Sequence, residues 1–183
     1  MILAAIGCSS SQNIVLLNDK DYKIPKTSTI SIVSATSASQ NRIIVSGLAE
    51  LLAQSGHKNI MSQDIVDKKY LSPNETFPLS EDEVGDEVEK IYKVVKTDCI
   101  IFIISDFATV NSESYMNGNS GTYVSVPVHG YIFSYPIGVC VGEIHYIPDK
   151  SRGLFSTDDE TVRKLLKQII NNISGKLDEI MEK

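Results

Sequence analysis

Long apolar runs, basic charge and cysteine are all scarce in this chain of 183 residues. No stretch of eighteen or more apolar residues occurs, so no segment is built to cross a bilayer as a helix, although attachment by other means stays open. Lys and Arg number 17 against 23 Asp and Glu, giving a formal net charge of −6 and a pI near 5.1. A non-specific nucleic-acid binder needs a basic face to displace counterions from phosphates, and no run of Lys and Arg supplies one. The three cysteines, Cys8, Cys99 and Cys140, are odd in number and lack CxxC spacing, which removes zinc knuckles and thioredoxin-type motifs. Cys99 and Cys140 fall in strand-like sequence, where buried free thiols are expected. A disulfide between them would require an oxidising compartment and favourable strand pairing.

Catalytic motifs are absent too. There is no phosphate-cradling G-x-x-x-x-G-K-[ST] and no G-x-S-x-G nucleophile elbow, and Gly118-Asn119-Ser120-Gly121 lacks the Lys and the strand-to-helix context of a nucleotide loop. No reaction is therefore legible in these residues, and no cofactor is expected. With 42% hydrophobic and 22% charged residues the chain is folded rather than disordered, and its length suits one domain.

The strongest positive signal is Thr97 to Asp106, in which six apolar residues from Cys99 to Ile104 run without a polar interruption between Asp98 and Ser105. So short a run bounded by acidic turn residues reads as a strand buried on both faces. Before it, an edge strand is expected near Asn13 to Leu17 and a strand at Thr29 to Ser34. A helix follows with Ile43, Ile44, Gly47, Leu48, Leu51 and Leu52 on its core stripe, stopped by Gly56. A short strand at Lys58 to Met61, a short helix at Gln63 to Tyr70 and a turn at Ser72 to Pro78 come next. Ser80 with Glu83 then forms a capping box that opens a helix with Val84, Val88, Ile91, Val94 and Val95 inward.

After Asp106, the Asn, Ser and Gly content of Asn111 to Gly121 predicts a long exposed loop. Strand pattern resumes at Thr122 to Val126 and continues through Tyr131 to Ser134. Tyr135-Pro136-Ile137-Gly138 makes a turn, and Val139 to Ile147 returns antiparallel. Thr157 and Glu160 cap a last amphipathic helix whose stripe is Val162, Leu165, Leu166, Ile169, Ile170 and Ile173, extending toward Leu177, Ile180 and Met181. Acidic residues on its polar face favour packing on the sheet over lying on a membrane. These elements make an α/β (or α+β) fold, a mixed sheet packed by helices. Residues 1–28 hold the N-terminus, tether and edge strand, and residues 29–183 one domain.

Candidate sites are few. His129, Glu143 and His145 form the one set with metal-ligand chemistry, provided the hairpin register places His129 opposite Glu143. The alternative is three ordinary polar positions. Tyr115, Tyr123, Tyr131 and Tyr135 gather in the loop and hairpin, where each offers an apolar body and a polar tip to a partner protein. The alternative is packing on the sheet. Asp106, at the carboxyl end of the central strand, is the first residue for a ligand site in a soluble enzyme or small-molecule binder.

Ala5-Ile6-Gly7-Cys8, ending an apolar run and followed by Ser9-Ser10-Ser11-Gln12-Asn13, resembles the lipobox of bacterial lipoproteins, with Ala where Leu is usual. That resemblance implies acylation at Cys8 and a flexible polar tether; the alternative is a short buried N-terminal strand in which Cys8 is incidental. Met1 to Gly7 lacks the charged n-region and full apolar h-region of a secretory signal, so both are expected upstream of Met1. With the order of elements from Ile30 to Ile173, the chain is similar to small α/β domains of Gram-negative envelope lipoproteins, distantly to the TolB N-terminal domain and to secretion-accessory lipoproteins. The resemblance implies a lipid-anchored accessory or scaffold protein on the periplasmic side of a bacterial membrane, the outer membrane favoured. Its partners would be envelope proteins. A cytoplasmic location belongs to the ligand-binding alternative.

Overall fold

The computed structural model describes residues 14–18, 22–34, 39–61, 63–70, 84–105, 109–114, 120–146 and 159–182. The elements are β1 (Ile14–Asn18), β2 (Ile30–Ser34), α1 (Ser39–Gln54), β3 (Ile60–Met61), α2 (Gln63–Tyr70), α3 (Val84–Val95), β4 (Cys99–Ser105), β5 (Thr109–Ser114), β6 (Ser120–Ser125), β7 (Val128–Ser134), β8 (Val139–Tyr146) and α4 (Asp159–Leu177). Six strands form one mixed sheet in the order β1-β8-β7-β4-β2-β3, so the fold is α/β with the long apolar run at its centre. Turn residues Ser72–Pro78, the Ser80–Glu83 box and Thr157 lie outside the described residues.

Every residue of β4 is buried, and alternation sorts them between two cores. Cys99, Ile101 and Ile103 join Ile44, Leu48 and Leu52 of α1 and Leu166, Ile169 and Ile173 of α4. Ile100, Phe102 and Ile104 join Val66 of α2 and Val84, Val88, Ile91 and Val95 of α3. Two helices therefore cover each face of the centre. Burying each such side chain contributes roughly 1.5–3 kcal/mol, which is why the apolar run tolerates no polar interruption. The last helix continues through Gly175 to Leu177, and the chain then turns so that Ile180 and Met181 also enter the core. Ile24 accepts and donates there, its N–H to Ile180 O at 2.8 Å and its carbonyl receiving Glu182 N–H at 3.0 Å.

Four sequence expectations are corrected. Asn111 to Gly121 is not a loop throughout, because β5 and β6 pair antiparallel from Thr109↔Ser125 to Ser114↔Ser120 as a separate two-stranded sheet. Main-chain pairing holds such a ribbon together, so its polar composition misled. Thr122 to Ser134 is not one strand either: it breaks at Val126-Pro127, and Pro127, which has no N–H to donate, separates two sheets. Ile43 and Val94, assigned to core stripes, are 44% and 40% exposed, since each helix touches the sheet along a narrower line than its apolar arc. Cys140 is exposed rather than buried. It cannot bond Cys99 in any case, because β7 lies between their strands.

Gly175 sits inside α4 with nothing within 4 Å of where a Cβ would be. Gly175→Ala is therefore expected to stabilise the protein by about 0.5–1 kcal/mol, read as a higher urea midpoint at unchanged slope, because Ala loses less conformational freedom in a helix.

Candidate interaction surface and strand-end cluster

β2 pairs parallel with both β3 and β4, and the chain leaves β2 through α1 on one face but reaches β4 through α2 and α3 on the other. The carboxyl ends of β2 and β4 thus flank a topological switch point, the usual crevice for ligands in open α/β sheets. Four buried polar residues meet there. Ser105 Oγ donates to Oδ1 of Asn41 in the first turn of α1. Gln63 Oε1 accepts the Ser34 N–H at 2.7 Å, and Gln63 Nε2 donates to Asp67 Oδ1 at 2.6 Å. Asp67 also takes Arg42 at 3.2 Å. Buried polar groups are costly unless paired, and this chain of bonds satisfies them while tying α1 and α2 to the strand ends. Asp106, the ligand-site residue expected from sequence, lies outside the described residues.

The histidines meet differently from the expected register. β7 and β8 pair His129↔His145 and Tyr131↔Glu143, so His129 faces His145, not Glu143. Two offsets of one residue add up: the turn pairs Ser134 with Val139, one residue later than the expected register, and the β-bulge between Ile132 and Phe133 absorbs one more residue. The two imidazoles meet edge to face with centroids 5.2 Å apart, and His145 Nε2 lies 3.0 Å from Glu143 Oε2. Glu143 is thus directed at one histidine. Among the described residues no group of three or more His, Cys, Asp or Glu is placed to hold a metal ion.

Of the four tyrosines, Tyr115 lies outside the described residues and Tyr123 is described by backbone alone, at Asn111↔Tyr123 in the β5–β6 ribbon. Tyr131 is half-buried against the Phe102 core. Tyr135 is buried and stacks on Tyr92 of α3, centroids 3.9 Å apart and 9° from parallel, while Lys96 Nζ stands 5.1 Å over the Tyr92 ring. Burial pushes the Tyr135 hydroxyl above its ordinary pKa, with Glu89 and Tyr92 adding to the shift. Beyond Tyr135 the hairpin tip projects outward: Ile137 is 79% exposed and Val139 48%. Sequence reading named the tyrosines and passed over these two. The signal available was a branched apolar residue, Ile137, at a turn position with no strand to place it inward.

On the opposite helix layer, a largely polar groove of about 710 Å³ runs between α1 and α4, lined by Ile43, Ser46, Gly47, Leu51, Gln54, Ile170 and Asn171 together with Arg42, Glu50 and Lys167. Gly47 lets α4 approach α1 closely, since a Cβ there would stand 2.7 Å from Ile170 Cδ1. Among the described residues no helix is long and apolar enough to cross a membrane.

The fold has solved counterparts. Two structures of the PelC dodecamer from Paraburkholderia phytofirmans, one of a point variant, match with TM-scores of 0.54 and 0.53 at 9% identity. They cover 90% and 93% of this chain and 96% and 99% of the PelC chains. The lipoprotein GNA1162 from Neisseria meningitidis matches with a TM-score of 0.46 at 12% identity, over 80% of this chain and 99% of its own. No protein-family model and no curated protein sequence matches.

Two buried groups make testable statements. Desolvation pushes the Cys99 thiol up to about 12, with Asp98 adding to it, whereas Cys140 is exposed with its thiol raised more modestly. Of these two cysteines, only Cys140 is expected to react with iodoacetamide in the native protein, Cys99 joining after denaturation; peptide mass mapping reads both. His57 is 3% exposed and leaves Nδ1 without a partner. Burial lowers its pKa below the ordinary 6.5, Lys26 adds to the shift and Asp178 opposes it. The folded state thus binds the proton less readily than the unfolded state. The stability contributed by neutral His57 is present above pH 6.5 and lost as the pH falls through the folded value. Urea midpoints between about pH 7.5 and 5 are expected to fall, and to fall less in His57→Gln.

Proposed function

We propose that this chain is a lipid-anchored accessory protein of the bacterial cell envelope, a scaffold whose copies associate with one another within a multiprotein assembly. The observation that carries the reading is the fold shared end to end with PelC, whose two structures are dodecamers. A match that leaves almost nothing of either chain over is what a common assembling unit requires, more than a shared substructure would be. The exposed, uncharged hairpin tip supports the same reading, since contiguous apolar surface on a soluble domain marks an interaction site. In this reading Cys8 carries the acyl chains, the following Ser-rich residues are the tether, and the protein is held on the periplasmic side, the outer membrane favoured. Acyl chains contribute about 0.8 kcal/mol per buried methylene, and stable anchoring takes more than one chain. The tyrosines Tyr115, Tyr123, Tyr131 and Tyr135 belong to the surface or support of the contact region, and neither a metal nor a cofactor is needed.

A second reading has one observation in its favour, the polar cluster of Ser34, Asn41, Gln63 and Ser105 at the switch point, where a soluble enzyme or binder would place a small molecule near Asp106. Native purification separates the two. The first reading expects an acylated N-terminal peptide at Cys8 by mass spectrometry, release from membranes in Cys8→Ala without loss of folding, and a mass of several chains by light scattering. An unmodified, soluble monomer whose melting temperature rises with a small molecule would overturn it in favour of the second.

A further inference from the structure

His129, Tyr131, Glu143 and His145 stand together as a polar group between apolar positions of the neighbouring strands. Register sets His129 beside His145 and Tyr131 beside Glu143 across β7 and β8, and alternation puts all four on the sheet face that carries Phe102 and Ile104 of β4. The flanking register positions are Ile104 and Phe102 on one side and Val15 and Leu17 of β1 on the other. On this face α2 and α3 pack over β2 and β4, and both histidines are half-buried, the His145 side chain 28% exposed and that of Glu143 42%. Packing gives no reason for imidazole here, since a β-branched or aromatic side chain suits a half-buried pleated surface better.

The two rings are close enough to share an ion. Their centroids stand 5.2 Å apart with the planes 86° from parallel. Imidazoles bonded to one tetrahedral ion at about 2.0–2.1 Å have centroids roughly 5 Å apart, so the spacing on the page is the spacing of a shared ligand pair. Glu143 supplies the usual support behind such a ring. Its Oε2 lies 3.0 Å from His145 Nε2 and accepts that N–H, which leaves Nδ1 as the basic nitrogen of the same imidazole.

We propose that His129 and His145 are the two protein ligands of a divalent transition-metal ion, with Glu143 as the positioning residue behind His145. Imidazole ligands select zinc, copper or nickel, whereas calcium and magnesium take oxygen. No third His, Cys, Asp or Glu converges on the pair among the described residues, so water fills the remaining coordination positions. The next strand pair is Val128↔Tyr146, which ends the ladder, so the ion staples the hairpin at the end away from its turn. The site stands independently of the envelope reading above.

Isothermal titration of the full chain with zinc chloride tests this, alongside melting curves with and without zinc. The parent is expected to take one zinc per chain and to melt higher in its presence, because the ion binds the folded state. His129→Gln and His145→Gln are each expected to bind at least about tenfold more weakly, and Glu143→Gln about tenfold, while all three keep the parent's melting curve without zinc. Cys140→Ser is expected to bind as the parent does, since the exposed thiol is no ligand here. The copper(II) form of the parent is expected to show two imidazole nitrogens by electron paramagnetic resonance. A parent that takes up no zinc at millimolar concentration, histidine variants that bind like the parent, or loss of binding confined to Cys140→Ser would each overturn the site. If the glutamine variants unfold, the copper spectrum of the parent decides alone, and fewer than two imidazole nitrogens sinks the proposal.

Discussion

The burial of β4 on both faces is the constraint from which the rest of the architecture follows. A strand of seven residues with no exposed position must be covered above and below, so the chain has to supply a helical layer on each side. It does so with α1 and α4 on one face and α2 and α3 on the other. Parallel pairing of β2 with β4 adds a second demand, since parallel neighbours need crossover connections and cannot be joined by a tight turn. Three of the four covering helices, α1, α2 and α3, belong to those crossovers, and α4, which follows the last strand, completes the core on the α1 side. Sequence order, layer order and burial are thus a single solution.

Polar groups hold the ends of this apolar centre in register. At the amino end, Asp98 Oδ2 accepts the Thr29 N–H at 2.7 Å, Thr29 O accepts Asp98 N–H and Cys99 N–H at 3.0 and 3.1 Å, and Asp98 O accepts Tyr135 N–H. One residue thereby joins β2, β4 and the β7–β8 turn. At the carboxyl end, Ser105 with Asn41 and Ser34 with Gln63 tie the strands to α1 and α2. The acidic residue before the apolar run and the serine after it are therefore joints, and they define where the strand stops. The strand-end cluster thereby has a joining role in the fold.

What the layers leave uncovered is where interaction is possible. α1, α2 and α3 pack over β2 and β4 and α4 packs against β1 and β8, whereas the turn between β7 and β8 carries Ile137 and Val139 into solvent. Apolar residues at such a tip cost stability in a free chain and have value only when another surface covers them. Gly47 has the opposite effect between α1 and α4, where the missing side chain lets Ile170 pack directly against α1 and join the core.

Element order was legible in the sequence because it depends on local periodicity. The uninterrupted apolar run of β4, the helical stripe of α4 and the Gln63–Tyr70 helix were readable from the sequence alone, and so was the edge position of β1. Tertiary structure decided what periodicity cannot carry. Register between β7 and β8 turned on where the turn closes and on one bulge, which together set His129 against His145. Whether an apolar residue is covered depended on the partner element reaching it, which left Ile43, Val94 and Ile137 exposed and put Tyr135 inside against Tyr92. The β5–β6 ribbon escaped notice because its pairing is made by the main chain, which every residue shares and no side-chain pattern announces. A sequence determines its elements through side-chain spacing along one chain, whereas surfaces and sites are set by which elements meet, and that is a property of the packing.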